Sequence, residues 1–340
     1  MRKFIIIAVL FLAVTFVLLY FSELQQITTT LLSANPWYLA LALVIQAAWL
    51  MDVGLIYQAI YALLGLKESR RHMILLAVAA NFVNIITTSG GVGGMALFIN
   101  DGQHRGQSSG KVTVAGALYL LLDEAAFLFV LAFGTIILAR RNRLSDGDIA
   151  ASLILLAIAC VLASFLFLGY RSAETLGNIL AKLARIINTI VRPFLRREYL
   201  SEARAHTFAS EIAEGISALP KKPSRLILPL LLSLLGKILL MCVLACAFLS
   251  FNIPFRVGTI VSGFSIAFLF QIVSPTPSGV GVVEGAMALT LHSRRIGWGS
   301  AILIALAYRG VTFWLPLLVG LGAFRVVNSR KPVKVEEDAK

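Results

Sequence analysis

Charged side chains are scarce in this sequence: Asp, Glu, Lys and Arg make up 14% of its 340 residues, whereas 59% are hydrophobic. The mean hydropathy of +0.87 lies far above the range of water-soluble domains. The longest polar stretch, residues 171–225, is too short for a soluble catalytic domain. These shortages exclude a soluble enzyme and predict an integral membrane protein.

Cysteine is nearly absent, and all three residues, Cys160, Cys242 and Cys246, fall in apolar segments. This placement excludes a disulfide framework and offers no Cys/His pattern for a metal ion. A phosphate-binding GxxxxGK[ST] motif is also missing, so no nucleotide-driven activity is expected, and we predict no cofactor and no metal. The four histidines are assigned to loops, as interfacial or solvated residues: His72, His104, His206 and His292.

Long apolar runs, in contrast, are abundant. Six of them are long enough to cross about 30 Å of hydrocarbon. They lie at residues 4–21, 37–64, 112–139, 149–170, 226–251 and 298–324. The first follows Met1-Arg2-Lys3 and lacks a small-residue cleavage site, so it is interpreted as a retained signal anchor.

Two further apolar segments, residues 73–99 and 257–291, are interrupted near their middle by small residues and, in the second, by prolines. Such residues weaken a helix, and the freed backbone groups need neighbouring protein to satisfy them. We therefore predict two re-entrant hairpins. Their turns are expected at Gly91, Gly93, Pro275, Pro277, Gly279 and Gly281.

The distribution of basic residues supports this topology, because cytoplasmic loops collect Lys and Arg. If both broken segments turn back, the amino terminus, residues 66–72, 100–111 and 171–225, and the tail from Arg325 all lie inside. That side then holds 22 of the 30 Lys and Arg, against six outside and two within spans. The net charge of +13 then needs no nucleic-acid partner, since this bias and anionic headgroups explain it.

A weak internal repeat relates the two broken segments. "TSGGVGG" (residues 88–94) matches "TPSGVGV" (residues 276–282) at an offset of 188, and the same offset superposes the flanking spans. The predicted fold is therefore an all-α membrane protein with about six spans, two re-entrant hairpins and two inverted repeats. The predicted units are residues 1–36 (signal anchor and external loop), 37–139 (first repeat), 140–225 (a span plus a basic amphipathic cytoplasmic segment), 226–325 (second repeat) and 326–340 (cytoplasmic tail).

Six ionisable residues lie inside the apolar segments, where each costs several kcal/mol unless it is paired or hydrated. They are Asp52, Asp123, Glu124, Lys237, Glu284 and Arg309. The offset of 188 places Arg309 opposite position 121, near Asp123 and Glu124. It places Lys237 opposite position 49, near Asp52. Two interpretations stay open: the cations and the tip amides hold an anionic headgroup, with Glu284 and Asp123 as counter-charges or proton sites, or the charges form static ion pairs.

The stretch "PTPSGVGVVEGAMAL" followed by "AYRGVTFWLPLLVG" resembles the carboxy-terminal signature of the lysylphosphatidylglycerol synthetase/flippase transmembrane family. "NFVNIITTSGGVGG" and "LLLDEAAF" resemble its amino-terminal half, with Asn84, Gly91 and Asp123 as equivalents, and the resemblance covers residues 4–325. The matching carboxy-terminal positions are Pro275, Pro277, Gly279, Gly281, Glu284, Tyr308, Arg309, Trp314 and Pro316.

The resemblance implies lipid translocation. Members that synthesise lysyl-lipids carry a soluble aminoacyl-transferase domain, which is not expected here, so the chain is more transporter than enzyme. Ser278 stands where the family usually has glycine, and Gly90, Gly93 and Gly94 occupy a turn where Arg and Glu are common. The headgroup preference is therefore expected to differ from that of other members.

The resulting hypothesis is a flippase of the cytoplasmic membrane, with both termini cytoplasmic, that moves an anionic or modified phospholipid through a polar groove at the repeat interface. Two alternatives remain: a non-catalytic membrane partner of a lipid-modifying enzyme, and an intramembrane transferase acting on a lipid carrier with a buried carboxylate as general base. The partners expected are a phospholipid substrate and either a second copy of the chain or a lipid synthase.

Overall fold

The computed structural model describes residues 34–87, 92–139, 223–274 and 276–329, together with single helical positions between residues 157 and 182. Within these ranges the chain is helical and has no β-strand. The helices are α1 (Pro36–Leu63), α2 (Arg70–Ile86), α3 (Val92–His104), α4 (Ser109–Ala139), α5 (Ile227–Ser250), α6 (Val257–Val273), α7 (Val282–Ser293), α8 (Trp298–Arg309) and α9 (Leu315–Ser329). Short 3₁₀ turns span Pro223–Leu226 and Pro277–Gly279, and a π-turn, Gly310–Trp314, joins α8 to α9.

Several predictions fall outside the described residues. They are the signal anchor with residues 1–33, the span at 149–170 apart from a few single positions, nearly all of the basic segment 171–225, the tail from residue 330, and the turn residues Gly91 and Pro275.

Within the described part of the chain, four helices are long and apolar enough to cross a membrane: Pro36–Leu63, Ser109–Phe133, Ser224–Ser250 and Trp298–Ser329. They correspond to four of the six predicted spans. Large apolar side chains point outward along them, including Trp37, Val44, Phe129, Leu228 and Leu318. Outward-facing apolar surface of this kind suits contact with lipid tails rather than water.

The ends of the helices follow from local sequence. At α1, the Asn35 side chain accepts a hydrogen bond from the Trp37 amide (3.1 Å), and Pro36 occupies the first helical position. At α2, the Ser69 hydroxyl caps the His72 amide (3.3 Å). Gly65, with φ of +72°, ends the turn after α1 in a conformation that favours glycine.

Both broken segments fold into antiparallel helical hairpins, as their interruption predicts. In the first hairpin, α2 and α3, the Gly94 amide donates to Asn84 Oδ1 (2.6 Å) near the tip. In the second, α6 and α7, Gly263 lies beside Leu291, far from the tip. The arms have 12 to 17 residues, fewer than the roughly 20 that a full crossing needs.

The second tip depends on glycine. Ser278, Gly279 and Gly281 all have positive φ, of 47°, 73° and 83°. A Cβ on Gly279 would collide with Val283 and would lie 3.2 Å from the Phe270 carbonyl oxygen. Position 279 therefore favours a residue that lacks a side chain.

Contacts between helix ends define two opposite ends of the molecule. The Asn35 amide donates to the Ser250 carbonyl (2.8 Å), so α1 begins where α5 finishes. At the other end, Leu66, Leu226 and Val327 pack on one core cluster. We refer to these as the Asn35 end and the Leu66 end. The first hairpin opens toward the Leu66 end, and the second opens toward the Asn35 end.

Two large apolar clusters form most of the core of the described residues, beside a small one around Leu50 and Val78. One surrounds Phe127, Leu244, Phe264 and Met287, and joins α4 to α5, α6, α7 and α8. The other lies among α1 to α4, where the Tyr57 ring stacks on Phe98 (4.0 Å between centroids) and on Tyr119 (4.4 Å). These clusters hold the hairpins against the long helices.

Two glycines on different faces of α9, Gly320 and Gly322, allow a test of helix packing. A Cβ at Gly320 would lie 2.6 Å from Phe82 Cβ and 3.0 Å from the Val78 carbonyl oxygen on α2, whereas one at Gly322 meets nothing within 4 Å. We predict that Gly320→Ala lowers the unfolding free energy in detergent by about 1–3 kcal/mol through overpacking, while Gly322→Ala leaves it nearly unchanged. Equal thermal midpoints for the two variants would contradict this close approach.

Candidate functional site

All six predicted intramembrane charges lie in described helices, and the structure pairs four of them. Lys237 Nζ lies 2.7 Å from Asp123 Oδ2, and Arg309 Nε lies 2.8 Å from Glu284 Oε1. In each pair the cation is nearly fully buried, with 4% of its side chain exposed. The acids are more accessible, at 23% for Asp123 and 17% for Glu284.

Lys237 lies halfway along α5, and its side chain is directed into the protein rather than toward lipid. Gly236 precedes it and lets α5 approach α1 closely, since a Cβ there would lie 2.9 Å from Asp52 Oδ2. The ammonium also sits 4.0 Å from the Phe268 ring centroid, and that ring stacks on Phe127. A carboxylate and an aromatic face together stabilise the buried charge.

The other two acids, Asp52 and Glu124, surround this pair without taking part in it. Both are buried, and both interact electrostatically with Asp123 and Lys237. Neither oxygen of Asp52 accepts a hydrogen bond from the described residues, and the same holds for Glu124 Oε2. Buried polar atoms are nearly always hydrogen-bonded in folded proteins, so these atoms point to a role beyond packing.

Arg309 is the last residue of α8, where the helix passes into the π-turn. Besides Glu284, it donates from a terminal nitrogen to the Ser278 carbonyl at the second tip (2.9 Å), and its guanidinium carbon lies 4.5 Å from the Phe313 ring centroid. The other oxygen of Glu284 accepts from the Gly281 amide (2.7 Å). One carboxylate therefore caps α7 and anchors the arginine, at a π-turn of the kind that is frequent at functional sites.

The expectation that the tip amides are free to hold a headgroup is wrong for much of the second tip. The Thr276 and Gly281 amides donate to the side chains of Ser274 and Glu284. The Gly279 and Val280 amides donate to carbonyls within the same turn. The turn satisfies these donors itself, because Ser274 and Glu284 bring oxygen acceptors to it.

The remaining predicted site residues lie in the core or in the hairpins. Tyr308 is buried in the larger core cluster, and Asn84 joins α2 to α3 through Gly94. Pro277, Gly279 and Gly281 lie in or beside the second turn, as predicted. Gly93 does not lie in a turn, because α3 already begins at Val92.

The offset of 188 did not identify the ion pairs. It put Arg309 level with Asp123, whereas Arg309 binds Glu284 on the helix just before it. Asp123 instead binds Lys237 from the other half. Which acid pairs with which base depends on the direction of the side chains across a helix interface, and sequence spacing does not give that direction.

A further polar cluster was missed, at the Leu66 end where the first hairpin opens. His72 Nε2 and Arg105 Nε both contact Asp101 Oδ2, at 2.8 and 3.2 Å. Arg105 and Gln107 also bind Glu68, at 3.4 and 2.8 Å. His72 was assigned to a loop but is buried in the first turn of α2. The signal was available, since "KESRRH" and "NDGQHRGQ" flank a single segment predicted to turn back.

No group of three or more His, Cys, Asp or Glu within the described ranges is arranged to hold a metal ion. The absence of a metal stays a prediction. Lys237 and Arg309 can bind anions, and the carboxylates around them can exchange protons.

Comparison with known proteins gives two findings. The family described as "Lysylphosphatidylglycerol synthase TM region" matches residues 5–320. The chain is also 23% identical, over 333 residues, to the "UPF0104 membrane protein MJ1595" of Methanocaldococcus jannaschii, covering 96% of this chain and 95% of that protein. Both agree with a multi-pass membrane protein.

The two members of the buried pair, Lys237 and Asp123, are expected to contribute unequally to stability. Lys237→Met removes the single cation from a group of three acids, so we expect a loss of about 3–5 kcal/mol in unfolding free energy. Asp123→Asn is expected to cost less than half as much, because Asp52 and Glu124 still interact with the ammonium. Unfolding in detergent measures both, with lipid-facing Leu235→Met on the same helix as control. Equal losses for the two variants would rule out the shared environment.

Proposed function

The chain belongs to the family of the lysylphosphatidylglycerol synthase TM region, and on that premise we propose that it is a membrane lipid translocase. It moves an anionic or modified phospholipid between leaflets. The observation that carries the proposal is the pair of buried cations, each held by one carboxylate that is itself partly accessible. A headgroup phosphate can replace such a carboxylate without leaving the cation unpaired.

Both cations keep hydrogen-bond donors that a headgroup can use. Lys237 offers three donors and Arg309 five, and the hydrogen bonds to Asp123, Glu284 and Ser278 use only part of them. Phosphate and carboxylate are both oxygen anions that accept charge-assisted hydrogen bonds. The partial exposure of Asp123 and Glu284 provides the side from which a headgroup approaches.

The two hairpins are proposed to be re-entrant and to belong to inverted repeats. A long helix, a hairpin and a long helix occur in residues 36–139 and again in residues 227–329. The first set starts at the Asn35 end and the second at the Leu66 end, so the directions are opposite. The second tip also packs against α2 of the first hairpin. Interrupted segments that meet in two inverted halves are characteristic of transporter binding sites.

The Leu66 end is proposed to face the cytoplasm. Among the described loops and helix ends it carries seven Lys and Arg: Lys67, Arg70, Arg71, Arg105, Lys111, Arg225 and Arg325. The Asn35 end carries Arg256, Arg294 and Arg295. Cytoplasmic loops hold the basic excess in most membrane proteins. We also propose that the membrane is the cytoplasmic membrane and that both termini are cytoplasmic.

Translocation is tested with purified protein in liposomes that contain labelled phosphatidylglycerol or labelled phosphatidylcholine, under an imposed pH gradient. We predict that phosphatidylglycerol crosses and that Arg309→Ala and Glu284→Gln each lower its rate by about tenfold or more. This corresponds to the loss of one charge-assisted hydrogen bond, about 1.5–3 kcal/mol.

The matched control is Gly285→Ala, beside Glu284, where an added methyl meets nothing within 4 Å. It should transport at the wild-type rate. If folded Arg309→Ala and Glu284→Gln transport normally, the pair is a static packing element. If the folded wild type moves neither lipid, the role as a partner of a lipid-modifying enzyme becomes the better explanation.

A further inference from the structure

Asp52 and Glu124 are two buried carboxylic acids that the proposed exchange at Lys237 and Arg309 does not use. Asp52 lies on α1 with 3% of its surface exposed, and Glu124 lies on α4 with 8%. Both Asp52 oxygens and Glu124 Oε2 accept no hydrogen bond within the described part of the chain. An ionised carboxylate is far too costly to bury without a partner, so at least one of the two acids needs a proton or a cation.

The charges around them do not balance. Fully ionised, Asp52, Asp123 and Glu124 carry three negative charges, and Lys237 supplies one positive charge that already contacts Asp123 at 2.7 Å. The cluster would then have a net charge of −2 between long apolar helices. The three carboxylates would also repel one another, and this repulsion adds to the cost of burying them because Lys237 offsets only one of the three charges.

The other groups near Asp52 do not remove this excess. Helix α4 contributes the Tyr119 hydroxyl besides its two acids, and α5 contributes only Lys237. Helix α2 also packs on α1, but its charged residues, Arg70, Arg71 and His72, all lie in its first turn. The π-turn, which contacts α1 as well, has the sequence GVTFW and carries no titratable side chain.

A proton suits this cluster better than a metal ion. Among the described residues, no three acidic, His or Cys side chains are arranged to hold a metal. Lys237 would also repel a cation bound beside it. A proton needs a single carboxylate oxygen, and Asp52 offers two that lack donors.

We propose that Asp52 and Glu124 form a proton-binding site whose occupancy is linked to anion binding at Lys237. The lipid part of this inference rests on the proposed function. When a headgroup phosphate replaces Asp123 on Lys237, it brings one negative charge into the cluster. One proton taken from water then binds a carboxylate oxygen of Asp52 or Glu124. The net charge of the cluster stays constant, and hydroxide remains in solution.

Asp123 connects the two events because it is the accessible member of the three acids. Asp123 is the carboxylate that the headgroup replaces on Lys237, and it lies within electrostatic range of both Asp52 and Glu124. By linkage, a lipid that promotes proton uptake must itself bind more tightly when protons are abundant. The apparent affinity for phosphatidylglycerol should therefore rise as pH falls, by about tenfold per pH unit at most for one proton.

The proton site is tested on the full chain by infrared difference spectroscopy, independently of transport. We expect the carbonyl stretch of a protonated carboxylic acid in the wild type, changing in intensity between mildly alkaline and mildly acidic pH. Asp52→Asn and Glu124→Gln, which are nearly isosteric, should each reduce it. Asp101→Asn is the control, since that acid belongs to the separate cluster with His72. A pH-dependent band that neither Asp52→Asn nor Glu124→Gln alters, or the absence of any such band, would overturn the site.

The linkage is tested by adding phosphatidylglycerol to wild-type protein in phosphatidylcholine nanodiscs under weak buffering with a pH indicator. Up to one proton per protein should be taken up, and added phosphatidylcholine should cause none. No uptake despite the infrared band would overturn the linkage, and this outcome needs no variant to fold. Uptake by a protein that moves no lipid in liposomes would count against the translocase alone and support the proton site.

Discussion

Desolvation of charge is the constraint on which this structure depends. Inside a membrane neither a charged side chain nor a backbone amide can rely on water, so each must find a partner within the protein. The pair of Lys237 with Asp123 meets this demand across two long helices, α5 and α4, that lie far apart in the chain. Its aromatic surroundings, Phe268 stacked on Phe127, continue directly into the larger core cluster.

The same constraint explains how two helices can be broken among apolar segments. At the second tip, backbone amides that a continuous helix would satisfy are bound by Ser274, by Glu284 and by carbonyls of the turn. Glu284 is central because its two oxygens serve both the turn and Arg309. The break is thus a closed polar unit rather than a set of exposed amides, and its arginine is left with spare donors.

The two charged sites are differently constructed, which suits two roles. At Arg309 one arginine pairs with one glutamate, so the charges are balanced, and the hydrogen bonds connect neighbouring elements. Around Lys237 three acids share one cation, so the balance depends on what else is bound. In the proposed translocase, the site at Arg309 holds the headgroup and the charge of the cluster around Lys237 responds to it.

The sequence by itself determined the membrane class, the four long helices now described, the two interruptions and the placement of all six charges within apolar segments. Hydrophobic run length, turn residues and the cost of intramembrane charge are local properties. Only the tertiary structure decided that Arg309 binds Glu284, that Asp123 binds Lys237, that Asp52 and Glu124 lack donors, and that His72 is buried beside Asp101. These outcomes depend on which faces of distant helices meet, and a side chain's direction in space is set by packing rather than by its position in the chain.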